Sequence, residues 1–312
     1  MKRLISLLLL LCMLLPGMAL GQGAVVTLPM DEDPMFGIIP ENLIYAEGEK
    51  DPVGYEDPSI SVHLERGRFL KSDYLAVRIK IANASQIRSA KIGKYGEDVT
   101  VIGSVLAKKV KAVFAVNGDY FSARNSGFVY RQGKQYRKNC HGGHDVLIID
   151  ENGDLNIISR ATNEDIDNYT GTMVNAYTFG PCLVLDGKKR TDEDYAYFDV
   201  GMYKETQRMA ICQTGPLEYL CVACSGPENA GSTGLTMDQF ADLLMTFGDV
   251  KVGYNLDGGS SSTAVFINAK GAYAKVNARD SKVRDIKDLI YFASAWDPNA
   301  EGFAVIDDED DD

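Results

Sequence analysis

The residue types best suited to chemistry are concentrated in one short stretch, which combines a carboxylate, adjacent glycines and a run of hydroxyls. It reads Asn255-Leu256-Asp257-Gly258-Gly259-Ser260-Ser261-Ser262-Thr263. Adjacent glycines let the backbone turn tightly and let a ligand approach closely, and hydroxyls donate and accept hydrogen bonds without bulk. An ordinary Asp-Gly turn is the alternative, but it leaves the run of hydroxyls unexplained. We therefore predict a functional site at the mouth of a sheet.

A second polar group follows the apolar strand pattern at 112–116. Asn117, Gly118 and Asp119 come directly after it. Asn-Gly is the strongest short signal for a β-hairpin, so a simple turn is one interpretation. The other is that Asn117 and Asp119 are functional polar groups at the carboxyl end of a strand.

An arginine stands at the start of another apolar segment. Arg208 follows the polar residues 204–207 and precedes the apolar residues 209–212. Its planar guanidinium suits the binding of a phosphate. A surface ion pair is the alternative, and Arg208 taken alone favours that interpretation.

The three histidines match no recognised metal-ligand spacing. His141 and His144, with Asp145 beside them, come nearest, and a metal or acid–base role for them is the minority interpretation. The sequence requires no cofactor, and a divalent ion is an option without support from ligand spacing. The chain also lacks a G-x-S-x-G nucleophile elbow, a P-loop and a G-x-G-x-x-G motif, which disfavours serine hydrolases, nucleotide hydrolases and dinucleotide enzymes.

The two ends of the chain differ in composition from its body. A basic start, an apolar run at 4–15 and small residues near position 23 predict a secretion signal at 1–23, because the run is too short to span a membrane. Residues 24–58 are rich in Pro, Gly and acidic residues and predict an extended, partly mobile lead segment. The domain itself is expected at 59–298, followed by an acidic tail at 299–312.

Charge and cysteine content narrow the partners and the covalent framework. The 312 residues carry 32 Lys and Arg against 44 Asp and Glu, a net charge of −12. This balance predicts no nucleic-acid partner, because phosphate backbones are bound by basic surfaces. No second apolar run is long enough to span a membrane. Five cysteines follow the signal, an odd number that excludes complete pairing within one chain, and Cys221 and Cys224 are expected on opposite faces of one strand.

The pattern of elements predicts an α+β fold with a mixed, largely antiparallel sheet core, several hairpins and a few packed helices. The clearest helix covers 236–247, with Thr236 as N-cap, Gln239 reaching back to it and Gly248 closing the helix. A second helix is predicted over 99–110 from an apolar stripe. Hairpins are predicted at 146–158, at 183–188 and between 209–212 and 219–223.

Taken in order, these segments resemble the phosphodiester glycosidase family over about residues 61–296. The matching stretches are 74–89, Ala115-Val116-Asn117-Gly118-Asp119-Tyr120-Phe121, Thr178-Phe179-Gly180-Pro181-Cys182-Leu183-Val184, Gln207-Arg208-Met209-Ala210, Gly234-Leu235-Thr236, Asn255-Leu256-Asp257-Gly258-Gly259 and Arg284. Two positions depart from the family pattern. Ser260 stands where a third glycine is frequent, and Gln207 where proline is common, and neither change removes a charged group.

The resemblance implies hydrolysis of the bond between the anomeric carbon of a sugar and a phosphodiester, with an N-acetylglucosamine-type, phosphorylated carbohydrate substrate. A carboxylate beside the anomeric carbon is then expected, with Asp257 as first candidate and Asp119 as second. The implied phosphate contacts are Arg208, Arg284 and the backbone of the glycine turn. The implied substrate-binding residues are Asn117, Gly118, Asn255, Gly258, Gly259, Ser261, Ser262, Thr263 and Arg284.

Two other functions stay open at this stage. One is a non-catalytic carbohydrate-binding or exopolysaccharide assembly module on the same scaffold. The other is a metal-dependent phosphodiesterase that uses Asp119, His141, His144 and Asp257 on a divalent ion. For the exported enzyme we expect cell-envelope or extracellular polysaccharide material as the setting. The sequence leaves the sugar, the stereochemistry and the oligomeric state open.

Overall fold

The computed structural model describes residues 23–30, 36–198, 201–278 and 283–300. Val25–Trp296 form one compact unit. A second unit contains residues 1–24 and 297–312; in its described part, the carboxylate of Asp297 accepts a hydrogen bond of 2.8 Å from the backbone N–H of Asn299. No helix in the described ranges is long and apolar enough to cross a membrane.

Strands dominate the described part of the chain. They are β1 Ala24–Val25, β2 Leu43–Ile44, β3 Gly54–Asp57, β4 Ile60–Phe69, β5 Ser72–Ile81, β6 Ile87–Lys91, β7 Val101–Ile102, β8 Phe114–Asn117, β9 Gly127–Arg131, β10 Lys134–Asn139, β11 Val146–Asp150, β12 Leu155–Ile158, β13 Met173–Tyr177, β14 Cys182–Leu185, β15 Lys188–Lys189, β16 Arg208–Gly215, β17 Glu218–Cys224, β18 Val252–Leu256, β19 Ala264–Ile267, β20 Tyr273–Lys275, β21 Asp285–Ile286, β22 Asp288–Phe292 and β23 Trp296–Asp297.

Helices are few and short. The described α-helices are α1 Gly103–Lys109, α2 Asn163–Asp167 and α3 Met237–Met245. Single 3₁₀ turns occur at Pro40–Asn42, Ala84–Gln86, Phe121–Ala123 and Gly259–Ser261. The predicted antiparallel sheet core is confirmed, and the helices contribute less than the α+β prediction implies.

Three large sheets within the compact unit carry the fold, and all their strand pairs are antiparallel. The first has nine strands in the order β15-β14-β18-β16-β17-β5-β4-β3-β2. The second has the order β10-β9-β13-β11-β12, and the third β20-β19-β8-β22-β6. Strands β2 and β3 lie at the edge of the first sheet, so residues 43–44 and 54–57 of the predicted lead segment are paired with the domain.

Four apolar cores in the described part of the chain hold these layers together. The largest lies between one face of the nine-stranded sheet and both five-stranded sheets. The second covers the other face of the nine-stranded sheet with α3 and the segment around Tyr195 and Phe198. The outer faces of the two five-stranded sheets bury smaller cores under α1 and α2. Cys221 belongs to the largest core and Cys224 to the second, which confirms that they lie on opposite faces of β17.

Local signals predicted the best-defined elements correctly. The side chain of Thr236 accepts the N–H of Gln239 and Gln239 reaches back to the backbone of Thr236, and Gly248 has φ +80°. The three predicted hairpins are present as β11–β12, β14–β15 and β16–β17. The helix prediction at 99–110 was too long, because residues 101–102 form β7 and the helix begins at Gly103.

Candidate active site

The ends of strands from all three large sheets bring together the polar residues of the candidate site. Asp119 follows β8, and Asp288 begins β22 in the same sheet. Asp257 follows β18 of the nine-stranded sheet. Arg131 ends β9, and Thr178 follows β13, both in the remaining five-stranded sheet.

Asp257 is the carboxylic acid of this group that is only partly buried. Its backbone N–H donates to the carbonyl of Gly118 at 3.3 Å, which joins the two predicted motifs. Burial raises the pKa of Asp257 to about 6, although a hydrogen bond from Ser261 and the charge of Arg284 lower it. Asp257 therefore exchanges a proton close to neutral pH, as a carboxyl with an acid–base or electrostatic role requires.

Behind Asp257, a buried guanidinium lies between two buried carboxylates. Nη2 of Arg131 is 2.7 Å from Oδ1 of Asp119 and 3.0 Å from Oδ2 of Asp288. Oδ2 of Asp119 accepts the backbone N–H of Thr178 at 2.7 Å. Burial, first, and the neighbouring Asp119 raise the pKa of Asp288. Both oxygens of Asp119 are engaged and its side chain is fully buried, so these contacts support the site, and a direct role of Asp119 in catalysis stays a prediction.

The ring of Tyr177 lies under this arrangement, with its centroid 3.9 Å from the Arg131 guanidinium carbon. Arg131 and Asp288 are site residues that the sequence reasoning missed. One signal for Asp288 was available, namely a charged residue directly before an apolar segment. Asp288 precedes the apolar residues 289–292 in the same way that Arg208 precedes 209–212. The mutual contact of Arg131 and Asp288 is set by pairing between distant strands and has no local signature.

The Asn117-Gly118 pair does not form a hairpin turn, because β8 pairs with β19 and β22 and not with the next strand. Nδ2 of Asn117 donates to the carbonyl of Asp257 at 2.7 Å, and its Oδ1 accepts the N–H of Thr263 at 2.9 Å. A Cβ on Gly118 would lie 2.3 Å from Oδ2 of Asp288. Both residues thus hold the site together, and the predicted contact of the Asn117 amide with substrate competes with these bonds.

The two glycines after Asp257 are required for different reasons, Gly258 by a close approach to the residue before β16 and Gly259 by its backbone conformation. A Cβ on Gly258 would lie 2.6 Å from the carbonyl oxygen of Gln207. Gly259 has φ +57°, and its N–H donates to the same carbonyl at 2.9 Å. The loop is therefore pinned to the start of the strand that carries Arg208.

The predicted run of hydroxyls divides into different environments. Ser261 bonds to Asp257, and Oγ of Ser260 accepts from Nη1 of Arg284 at 3.1 Å. Ser262 is buried, with Oγ 3.4 Å from the carbonyl of Arg208. Thr263 is buried as well, and its methyl group lies against Gly103 of α1. Only the first two hydroxyls lie beside the ionisable groups of the site.

Asn255 keeps an unused acceptor in the site. Its Nδ2 donates to the carbonyl of Gly180 at 2.7 Å, whereas its Oδ1 is buried without a hydrogen-bond partner among the described residues. A buried acceptor without a donor is costly, and no described group offsets this cost. Asn255 therefore stays a candidate for substrate binding.

Arg208 and Arg284 are in different situations. Nε of Arg208 donates to the carbonyl of Leu235, and its Nη2 donates to the carbonyls of Gly201 and Lys204 at 2.7 and 2.9 Å. Within the described residues Arg208 forms no ion pair with Asp257, and burial lowers the pKa of Arg208 to about 10. Two of its three nitrogens thus hold backbone carbonyls, and the predicted contact of Arg208 with a phosphate stays a prediction.

Arg284, by contrast, is exposed beside the loop. Its guanidinium carbon lies 5.7 Å from the centroid of the Tyr120 ring, and Tyr120 itself has φ +49°. Its charge is one of the influences that lower the pKa of Asp257. Arg284 therefore suits the predicted contact with a phosphate better than Arg208 does.

The histidines are not part of a metal site in the described ranges. His141 contacts Oδ1 of Asn139 at 2.8 Å, and His144 lies against Arg124. No group of three or more His, Cys, Asp or Glu side chains that could hold a metal occurs in the described part of the chain. The four residues of the metal-dependent alternative therefore do not form one ligand set.

Comparison with known proteins adds independent findings. The sequence profile of the phosphodiester glycosidase family matches residues 110–293. A search of curated proteins finds no match. Among solved structures, the catalytic domain of zebrafish N-acetylglucosamine-1-phosphodiester alpha-N-acetylglucosaminidase, auto-inhibited by its pro-peptide, is similar with a TM-score of 0.58 and 17% identity, covering 76% of this chain and 84% of that one.

Two further solved structures are less similar. A hypothetical protein from Synechocystis has a TM-score of 0.49 and 12% identity, over 75% of this chain and 62% of that one. A protein described as exported, from Burkholderia pseudomallei K96243, has a TM-score of 0.44 and 12% identity, over 71% and 74%. At these identities the likeness to the zebrafish structure concerns the fold alone.

Proposed function

Because the chain belongs to the phosphodiester glycosidase family, we propose that it hydrolyses the bond between the anomeric carbon of a sugar and a phosphodiester. Water supplies the new hydroxyl on the anomeric carbon, and the phosphate leaves as a monoester that carries one more negative charge. An N-acetylglucosamine-type sugar is the substrate we test first. The observation that carries the proposal is the partly buried Asp257, with a pKa of about 6, beside Arg284 and Ser261.

In this proposal Asp257 lies next to the anomeric carbon. Above pH 6 it is mostly ionised, and its negative charge stabilises the positive character that the anomeric carbon gains as the bond breaks. Ser261 fixes the carboxylate, and the buried Asp119–Arg131–Asp288 group fixes the backbone around Gly118, to which the N–H of Asp257 donates. A phosphate is a good leaving group, so the mechanism does not depend on a separate general acid.

The leaving phosphate is assigned to Arg284. Its guanidinium is exposed, is bonded to Ser260 and has no carboxylate within 4 Å among the described residues. A guanidinium stabilises a phosphate that gains charge in the transition state. Arg208 then acts as a positioning residue, since its bonds to Gly201 and Lys204 tie that segment to the start of β16 beside the glycine turn.

We also propose that the enzyme is exported and acts on cell-envelope or extracellular polysaccharide material. The support is the sequence of residues 1–23, with its basic start, short apolar run and small-residue end. These residues lie outside the described part of the structure. The proposal therefore depends on the sequence pattern.

The test uses the methyl diester of N-acetylglucosamine 1-phosphate in ¹⁸O-labelled water. We expect the label in the released sugar, and we expect D257N to lower kcat by about 10²–10⁴-fold. D249N is the matched control, because it removes the same charge from a residue away from the site. Oδ2 of Asp249 pairs with Nη1 of Arg78 at 2.8 Å. D249N should retain wild-type turnover.

Each alternative gives a different result in the same experiment. Label in the phosphate would indicate cleavage of the P–O bond and favour a phosphodiesterase. Binding of the diester without release of sugar would favour the carbohydrate-binding module. Wild-type turnover by D257N would remove Asp257 from the mechanism.

A further inference from the structure

A cavity of about 190 Å³ adjoins the candidate active site on the side of Thr178. Its wall includes Thr178, Ser126, His141 and His144, and none of its eight lining residues carries a carboxylate. Thr178 connects it to the site, because the backbone N–H of that residue donates to Asp119 at 2.7 Å. The proposed mechanism leaves this cavity unused.

Arg124 stands at the edge of the cavity. Nη1 of Arg124 lies 3.5 Å from both ring nitrogens of His144, a lining residue, and its guanidinium carbon is 5.0 Å from the ring centroid of Phe179. No carboxylate among the described residues lies within 4 Å of this guanidinium. In contrast, Arg131 and Arg190 each form ion pairs with aspartates.

A second arginine adds positive charge behind the same loop. Nη1 of Arg137 donates to the carbonyls of Phe121 and Arg124 at 2.8 and 2.6 Å, which fixes the loop that carries Arg124. Nε and Nη2 of Arg137 are buried without a partner among the described residues. Burial raises the pKa of the Cys140 thiol, which also lines the cavity, and the positive charge of Arg137 partly offsets that rise. In a chain with a net charge of −12, two guanidiniums therefore lie near this cavity with no carboxylate partner among the described residues.

We propose that this cavity, with Arg124 at its edge, binds an anionic group of the substrate other than the phosphodiester that is hydrolysed. This inference rests on the proposed function and defines its substrate class as polyanionic glycosyl phosphodiesters. A phosphate monoester or a carboxylate has the required chemistry, since a guanidinium binds either by charge-assisted hydrogen bonds. The group belongs either to the sugar or to the alcohol part of the diester.

Three diesters of N-acetylglucosamine 1-phosphate distinguish these sources. The first is the methyl diester, the second is esterified to glycerol 3-phosphate, and the third is the methyl diester with a 6-phosphate on the sugar. We expect wild-type kcat/KM to be higher for one of the two diesters with an additional anionic group than for the methyl diester, whose phosphodiester is its only charge, and R124Q to reduce that preference at least tenfold, mainly through KM. The preferred diester identifies which end of the substrate lies in the cavity.

R78Q is the matched control, because Arg78 also lies over a phenylalanine ring, at 5.9 Å from Phe247, but is paired with Asp249 away from the cavity. It should leave the preference unchanged. Equal losses for all three diesters in R124Q, or no preference in the wild type, would overturn the proposal.

A binding measurement separates this inference from the proposed function. R284Q, which removes the other proposed phosphate contact, and the double variant R284Q/R124Q are titrated with inorganic phosphate by calorimetry, with thermal unfolding as the check on folding. We expect Kd to be at least tenfold weaker in the double variant. Equal affinities would refute the anion site whether or not the wild type hydrolyses any diester.

Discussion

Among single residues, Asp257 carries a free-energy cost that its chemistry explains. Burial raises its pKa from 3.8 to about 6. Ionising the Asp257 carboxyl therefore costs more free energy in the folded protein than in the unfolded chain. Between those two values the folded state holds a proton that the unfolded state has lost. Stability therefore falls as pH rises from about 4 to 6, and the cost persists at higher pH.

From this we expect D257N to be more stable than the wild type at pH 8, by at most about 3 kcal/mol. The advantage should nearly vanish at pH 3, where the wild-type carboxyl is mostly protonated in both states. Urea unfolding midpoints at the two pH values measure the difference. D249N should show no such gain, and a D257N protein that is less stable at pH 8 would contradict the assignment of the raised pKa to burial.

The residue types near the site were predictable, but the partners of their atoms were not. Asn117 and Asn255 were both predicted as polar residues at the ends of apolar strands. The amide of Asn117 bonds to the backbone through its nitrogen and its oxygen, whereas the oxygen of Asn255 has no hydrogen-bond partner among the described residues. Arg208 illustrates the same limit, because its neighbours Gly201 and Leu235 come from other segments. Side-chain partners depend on tertiary packing that a local pattern does not contain.

At the level of elements, the loop at 257–263 is a bridge between the nine-stranded sheet and the sheet that contains β8. Gly259 N–H donates to Gln207 at the start of β16, whereas Thr263 accepts the N–H of Asn117 at the end of β8. The position of Asp257 therefore depends on both attachments. The close approach of Gly258 to a backbone carbonyl leaves no room for a side chain.

We expect G258A to lose about 1–3 kcal/mol of stability and most of the activity, because the new methyl group must displace the Gln207 carbonyl and the loop with it. Chemical unfolding and turnover of the methyl diester measure the two effects. G143A is the matched control, since a Cβ there meets no atom within 4 Å, and it should unfold like the wild type. Equal stability of the two variants would mean that the loop is not held at Gln207.

Elements with local signals were predictable, and their partners across the sheets were not. Helix α3 and the hairpin β11–β12 are specified by a capping box and by turn residues within a few positions. The pairing of β8 with β19 and β22 joins residues more than 140 positions apart. Nothing in the local sequence distinguishes this pairing from the hairpin that Asn117-Gly118 also suggests, so that alternative could be decided only by the structure.

On the scale of the whole molecule, one group of buried charges lies where two of the sheets meet. Asp119, Arg131 and Asp288 come from two sheets and are nearly inaccessible to solvent. Burial, first, and the negative charge of the neighbouring Asp119 raise the pKa of Asp288. Composition and net charge alone could not predict this arrangement, because the three residues are separated in sequence by 12 and 157 positions.

The five cysteines after the predicted signal provide a prediction for the whole mature protein. All are buried and unpaired, and burial raises the pKa of Cys182 and Cys224 to about 12. Because thiolates are the reactive form, these thiols should stay reduced even outside the cytoplasm. Protein recovered from the medium or envelope fraction is therefore expected to carry five free thiols. If the predicted signal is removed, its mass is that of a chain that begins at residue 24.

A disulfide-exchange reagent such as dithionitrobenzoate should modify none of these thiols in the native protein and all five after unfolding in guanidinium chloride. The unfolded protein supplies the internal control, since it has the same cysteines without their burial. Native-state reactivity, or fewer than five thiols after unfolding, would contradict the buried, unpaired arrangement.

Recovery of the uncleaved chain in the cytoplasm alone would separately refute export, because signal removal and burial of the thiols are independent properties of the chain.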